Sequence, residues 1–328
     1  MPGAEPPSRR WHGWLRRGLW LGMALLAVWL IWHLLHETDW PAVRRALAAR
    51  GSGELLLIAA LALASHALYG LLDLIGARSL GLKLPHWRAW LTATASYACN
   101  LNLGSLVGAA ALRYRLYGRQ GVAVADVSRL IILSMAANWL GYLLLVASLP
   151  LWAVTPVLTR WTGGALPWLS LGAALVVAAY VYACAAQLRW RLRGHDFAFP
   201  AWPAALAQIG VAALNWALMG LVLQHCLGTQ LGYAPVLSAL LVAAVAGAVT
   251  HVPGGWGVLD FVIVKSLAGG AGQASLLIAG VLVYRAAYYL LPLVLAGFSL
   301  LRLSFPRQTA RRSAETRTRR VSGDAGPA

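Results

Sequence analysis

Arg285 stands near the middle of a long apolar run, 274–302, that contains no acidic residue. An unpaired guanidinium at the centre of a membrane helix costs roughly 2.5–3.5 kcal/mol on insertion scales, so it requires a partner. Asp260 is the one acidic residue within 90–118 and 236–268, two apolar regions that each carry a break. A segment folded back after the second break brings its carboxylate to the guanidinium. Two readings stand: a structural ion pair, or a site in which one or both residues hold a lipid phosphate or an ion. Guanidinium suits phosphate because its fork matches two oxygens and it stays charged when desolvated, so the anionic headgroup of a membrane phospholipid is the natural ligand.

Around Arg285, Tyr288 and Tyr289 lie one turn away and Pro292 can kink the helix. They either shape a polar pocket or anchor packing. Asn138 falls at a comparable depth in 127–150, between Ser134 and Tyr142, where a helix–helix hydrogen bond competes with a substrate contact. Arg113 is a second candidate headgroup contact, nearer the cytoplasmic face. His66, Tyr69 and Asp73, at i, i+3 and i+7, share one helix face that can relay protons or satisfy neighbouring polar groups. Gln208 and Asn215 share another inward face. The breaks themselves, Asn100 to Gly104 and Pro253, Gly254, Gly255 and Gly257, supply close-approach backbone and are candidate gate residues.

No GxSxG, HExxH or Walker loop is present, nor a paired acidic motif for metal-dependent glycosyl transfer. The eight histidines lack ligand spacing, and Cys99, Cys184 and Cys226 read as free buried thiols. No enzyme activity, metal or cofactor is expected.

Residues of these types need a membrane to position them. Sixty per cent of the 328 residues are apolar and 11% charged, a surface no soluble domain of this size carries without aggregating. The net charge of +17 comes from short arginine clusters between apolar runs, which report orientation in a bilayer and not a nucleic-acid face. Six segments reach the ~20 residues a crossing requires: 18–36, 54–76, 127–150, 166–186, 204–227 and 274–302. The first follows Arg9, Arg10, Arg16 and Arg17 and lacks a small-residue cleavage site, so it reads as a retained helix.

The broken regions divide into halves of roughly 12–15 residues, or about 20 Å of helix, too short to cross. Treated as hairpins that re-enter, with a cytoplasmic N-terminus, they leave 21 Lys and Arg inside against 5 outside; treated as single crossings they leave 15 against 11. The positive-inside rule prefers hairpins. The expected fold is an all-α polytopic membrane protein with about six full transmembrane helices plus two re-entrant helical hairpins, eight membrane regions in all. Units 90–150 and 236–302 form an inverted repeat whose hairpin tips meet near the midplane. A basic cytoplasmic N-terminus (1–17) precedes the transmembrane domain (18–302), and a basic disordered tail (303–328) follows it, both termini cytoplasmic at a bacterial-type inner membrane.

HVPGGWGVLD (251–260), followed by YRAAYYLLPLVLAG (284–297), resembles the closing signature of the lysylphosphatidylglycerol synthase transmembrane-region family, also called flippase-like or YbhN-like. That pattern has a PGG-x-G-x-x-E run and a later arginine, proline and glycine; here Asp260 replaces the glutamate and shortens its reach. NLNLGSLVGAAALRYRLY (100–117) looks like the upstream motif through Gly104, Gly108 and Arg113, with alanines where an acidic residue is expected. The resemblance implies a flippase or transporter that moves an anionic phospholipid or lipid-linked headgroup across the inner membrane. Lysyl transfer is not expected, as no aminoacyl-transferase domain is seen. The alternative is a non-transporting partner or regulator of an envelope-lipid enzyme, and the oligomeric state is left open.

Overall fold

The computed structural model describes residues 40–104, 109–152, 156–192, 195–228, 230–250, 252–269 and 271–304. The expected first helix 18–36, its basic leader, Gly108 and the tail from 305 onward lie outside the described residues.

Within them the chain is helical apart from one short hairpin. In order come α1 (Trp40–Ala48), α2 (Ser52–Ser79), α3 (His86–Leu103), α4 (Ala111–Gly118), α5 (Val124–Trp152), α6 (Pro156–Thr162) and α7 (Leu166–Ala185). An antiparallel pair, β1 (Arg189–Leu192) and β2 (His195–Ala198), then leads into α8 (Trp202–Leu227), α9 (Tyr233–Thr250), α10 (Val258–Leu267) and α11 (Ala271–Tyr284). A π-helical turn, Arg285–Leu290, joins α11 to α12 (Leu291–Ser304). Pro292 explains that wide turn, because its missing N–H cannot reach the carbonyl of Tyr288 in an α-helical pattern.

Among the described residues, six stretches are long and apolar enough to cross a membrane: Ser52–Ser79, Val124–Leu151, Pro156–Ala185, Trp202–Leu227, Tyr233–Thr250 and Gln273–Phe298. Five coincide with segments expected from hydropathy. The sixth, α9, has 18 residues where the sequence reading expected an arm of 12–15. Both broken regions are in fact asymmetric: α3 and α9 have 18 residues each, whereas α4 and α10 have 8 and 10. The longer arms, about 27 Å at 1.5 Å per residue, come close to the ~30 Å of a hydrocarbon core.

The breaks have a local cause. Pro253 has no N–H to give, and Gly254, Gly255 and Gly257 adopt φ of +67°, +60° and +74°, a left-handed backbone that glycine tolerates without steric cost. Gly104, at φ +82°, ends α3 in the same way. The two breaks touch, since a Cβ added to Gly254 would lie 3.1 Å from the Leu101 carbonyl oxygen.

α8 runs through the centre and packs against α2, α5, α9 and α11. Small residues permit this closeness: a Cβ at Gly141 of α5 would meet Ala212 at 2.5 Å, and one at Gly280 of α11 would meet the Cys226 carbonyl at 2.6 Å. Polar side chains then fasten the helices by reaching main-chain carbonyls. Gln208 Nε2 donates to Leu72 at 2.9 Å, Trp216 Nε1 to Asn138 at 3.1 Å and the Tyr142 hydroxyl to Leu241 at 3.0 Å.

Candidate functional site

Two arginine–aspartate pairs anchor the two broken units. The first joins α4 to α2: Arg113 Nε and Nη2 donate to Asp73 Oδ2 and Oδ1 at 2.8 and 2.9 Å. The Tyr117 hydroxyl adds a third donor at 2.9 Å and Ser134 Oγ, from α5, a fourth at 2.6 Å. Asp73 is wholly buried and Arg113 is 1% exposed. With four donors on one carboxylate, the cost of taking both charges out of water is offset by direct partners.

The second pair is built at the other break. Arg285 opens the π-helical turn, and its Nε and Nη2 donate to Asp260 Oδ1 and Oδ2 at 2.8 and 2.6 Å. Its Nη1 and Nη2 also reach the Gly254 and Gly255 carbonyls, each at 3.3 Å. The guanidinium carbon lies 4.0 Å from the centre of the Trp256 ring and 5.3 Å from that of Tyr289, so aromatic faces cover the plane that hydrogen bonds do not. Asp260 Oδ2 meanwhile accepts the Gly257 N–H at 2.8 Å and so caps the helix that carries it.

Exposure separates the two pairs. The Asp73 and Arg113 side chains are 0% and 2% exposed, whereas Asp260 is 29% exposed beside an Arg285 side chain at 3%. Asp260 forms part of the wall of a groove of about 660 Å³ between α6, α10 and α11. A volume of that size accommodates a small ligand or a lipid headgroup.

A neutral polar cluster lies between the pairs. Ser65 Oγ donates to Asn215 Oδ1 at 2.7 Å and lies 2.7 Å from the Tyr288 hydroxyl, which in turn is 3.2 Å from that of Tyr97. The cluster ties α2, α3 and α8 to the π-helical turn. Asn102 Nδ2 adds a bond to the Tyr289 carbonyl at 3.1 Å, linking the end of α3 to the same turn.

Of the residues singled out on sequence, Arg285, Asp260, Tyr289, Gly254, Gly255 and Gly257 are brought together, and Tyr288 joins the neighbouring cluster. Pro253 begins the short turn of the break, and the Asn100 carbonyl accepts the Gly104 N–H at 2.9 Å at the end of α3. Asn138 is half-buried and engaged through its carbonyl by Trp216; no hydrogen bond joins it to either pair among the described residues. His66, Tyr69 and Asp73 do share the inward face of α2 and are all buried. His66 Nδ1, however, bonds to the Ala62 carbonyl at 2.9 Å, Tyr69 stacks on Tyr97 at 3.7 Å, and Asp73 is taken by Arg113.

Sequence reasoning did not pair Asp73 with Arg113. The signal was available: Arg113 lies in an apolar region whose own unit has no acid up to its turn, and the preceding spanning segment carries Asp73 within it and Glu54 only at its start. The carboxylate that the upstream motif was expected to supply comes instead from α2.

No family model matches the chain. Inner membrane protein YbhN of Escherichia coli (strain K12) is 34% identical over 281 residues, covering 84% of this chain and 88% of that protein. The uncharacterized protein slr0712 of Synechocystis sp. is 27% identical over 277 residues, covering 81% and 84%. A phosphatidylglycerol lysyltransferase of Staphylococcus xylosus is 30% identical over 89 residues, 26% of this chain and 11% of that enzyme. Identity of this extent, together with six helices of spanning length among the described residues, identifies a multi-pass inner membrane protein, and the chain belongs to the YbhN family.

Proposed function

We propose that the chain is a lipid transporter and not an enzyme, moving an anionic phospholipid or lipid-linked headgroup across the inner membrane. The observation that carries this reading is the position of Arg285. It lies where the two chain breaks meet, held by a carboxylate that is itself open to a groove. A phosphate presents two oxygens in the geometry that Asp260 offers, so it can exchange with the carboxylate on the same two N–H groups. Asp260 then remains bound to Gly257 and is ready to take the arginine back.

In this reading α3 with α4, and α9 with α10, are re-entrant hairpins of an inverted repeat, and both termini are cytoplasmic. Support comes from the matching order of an 18-residue arm, a glycine break, an arm of 8 or 10 residues and a long helix. The count of basic residues supports the orientation. The short match to a phosphatidylglycerol lysyltransferase, together with the signature at 251–260 and 284–297, favours a tie to the lysylphosphatidylglycerol synthase transmembrane region and hence an anionic glycerolipid.

The test is headgroup translocation in proteoliposomes by the wild type and by Arg285→Ala, with thermal stability and monodispersity measured on both. Loss of transport in a folded variant is the expected result. Unchanged transport removes Arg285 from the site, and absence of lipid movement by the wild type, with stable co-purification of an envelope-lipid enzyme, favours the partner or regulator instead.

A further inference from the structure

The groove beside Asp260 carries charges that neither ion pair uses. Its wall includes Arg160 from α6, Lys265 from α10 and an apolar strip formed by Phe261, Val264 and Ile278. Arg160 and Lys265 are exposed, and neither has an acidic partner among the described residues. The fold nevertheless draws them together. Arg160 Nη1 donates to the backbone carbonyl of Lys265 itself at 3.1 Å, and the adjacent Trp161 Nε1 donates to Ser266 Oγ at 2.8 Å, which fastens α6 onto α10. Two cations that line one groove from neighbouring helices favour an anion between them. The acid on the groove wall, Asp260, has both oxygens committed to Arg285 and cannot serve.

The apolar side of the groove completes the chemistry. Phe261 is 62% and Ile278 51% exposed, on a face that in a membrane protein meets acyl chains. A ligand that fits is therefore anionic at one end and hydrocarbon at the other. We propose that this groove is a binding site for an anionic glycerophospholipid, with its phosphate on Arg160 and Lys265 and an acyl chain along Phe261, Val264 and Ile278. The site rests on the transport reading, as the place where the lipid waits before its headgroup reaches Arg285, although binding here does not require that transport occur.

The experiment measures lipids retained on the purified protein by native mass spectrometry after exchange into equal mixtures of dioleoyl-phosphatidylglycerol and dioleoyl-phosphatidylcholine. Wild type, Arg160→Gln/Lys265→Gln, the charge-keeping Arg160→Lys, and Lys83→Gln/Arg88→Gln as a charge-matched control elsewhere are compared. Wild type should favour phosphatidylglycerol, and the groove double variant should lose that preference by about tenfold, with Arg160→Lys close to wild type and the control unchanged. Equal retention of both lipids by wild type, an equal loss in the control pair, or displacement of phosphatidylglycerol by inorganic phosphate alone would each overturn the proposal. The last result would assign the cations to a soluble anion. Retention that depends on the groove in a protein that moves no lipid defeats the transport reading and leaves the site standing; transport with retention insensitive to the groove variants does the reverse.

Discussion

Asp260 and Arg113 occupy the same place in their respective units, the third residue of the helix that follows the break, yet carry opposite charge. Each finds its counter-ion on a long helix: Asp260 on the turn after α11, Arg113 on α2. The two units thus solve one problem twice, anchoring a short helical arm through a charge that cannot be left alone in an apolar setting.

The anchoring role predicts a large stability effect at the dry pair. Asp73→Asn should destabilise the protein by about 3–5 kcal/mol, because the Arg113 guanidinium would remain buried without its counter-ion. Ser134→Ala should cost about 1 kcal/mol, as one of four donors is lost. Thermal unfolding in detergent checks both, and an Asp73→Leu/Arg113→Met pair should recover most of the loss. A double variant no better than Asp73→Asn would show that the ion pair is not the source of the effect.

At the open pair, Trp256→Leu should weaken transport without unfolding the protein. It removes the aromatic face 4.0 Å from the Arg285 guanidinium, an interaction of roughly 0.5–2 kcal/mol, and leaves the bidentate grip of Asp260 in place. Trp256→Phe should retain more activity than Trp256→Leu. Equal rates for the two variants would exclude a role for the ring face.

The break itself tolerates little. Gly254→Ala forces a side chain into φ +67° and presses a Cβ to within 2.8 Å of the Trp256 ring, so a loss of about 1–3 kcal/mol is expected. Gly172→Ala, in the middle of α7 with open space around it, should be neutral or slightly stabilising, by up to about 1 kcal/mol. Matched melting curves for the two variants provide the comparison.

Orientation can be read with thiol reagents, since Cys99, Cys184 and Cys226 are buried and free. Lys83→Cys and Arg119→Cys should label from one side of the membrane, and Arg160→Cys and Lys265→Cys from the other, using an impermeant maleimide on oriented vesicles. Labelling of Arg119→Cys from the side opposite Lys83→Cys would mean that the 86–118 region crosses and does not re-enter.

How much of this was legible in the chain varies with the kind of signal. The Arg285–Asp260 pair was readable because a lone arginine in an apolar run demands a counter-ion and the candidates were few. The partner of Asp73 was not readable: its i, i+3, i+7 spacing with His66 and Tyr69 described a face of α2, but spacing within one helix is silent about which helix packs against that face. Arm lengths were placed at 12–15 residues by where glycines fall. The first arms instead begin earlier than the apolar regions, at His86 and Tyr233, while the second arms are the shorter α4 and α10. Pro292 announced a kink, but the partners that Arg285, Tyr288 and Tyr289 find from that turn are tertiary contacts that no local pattern encodes. The short β1–β2 hairpin, set between two spanning helices and rich in arginine, gave no alternation strong enough to read.

The contact between Gly254 and the main chain at Leu101 has a mechanical consequence. With no side chain between them to yield, a displacement of either loop meets the other backbone directly. The two breaks therefore share one fulcrum, and neither can shift without pressing on the other.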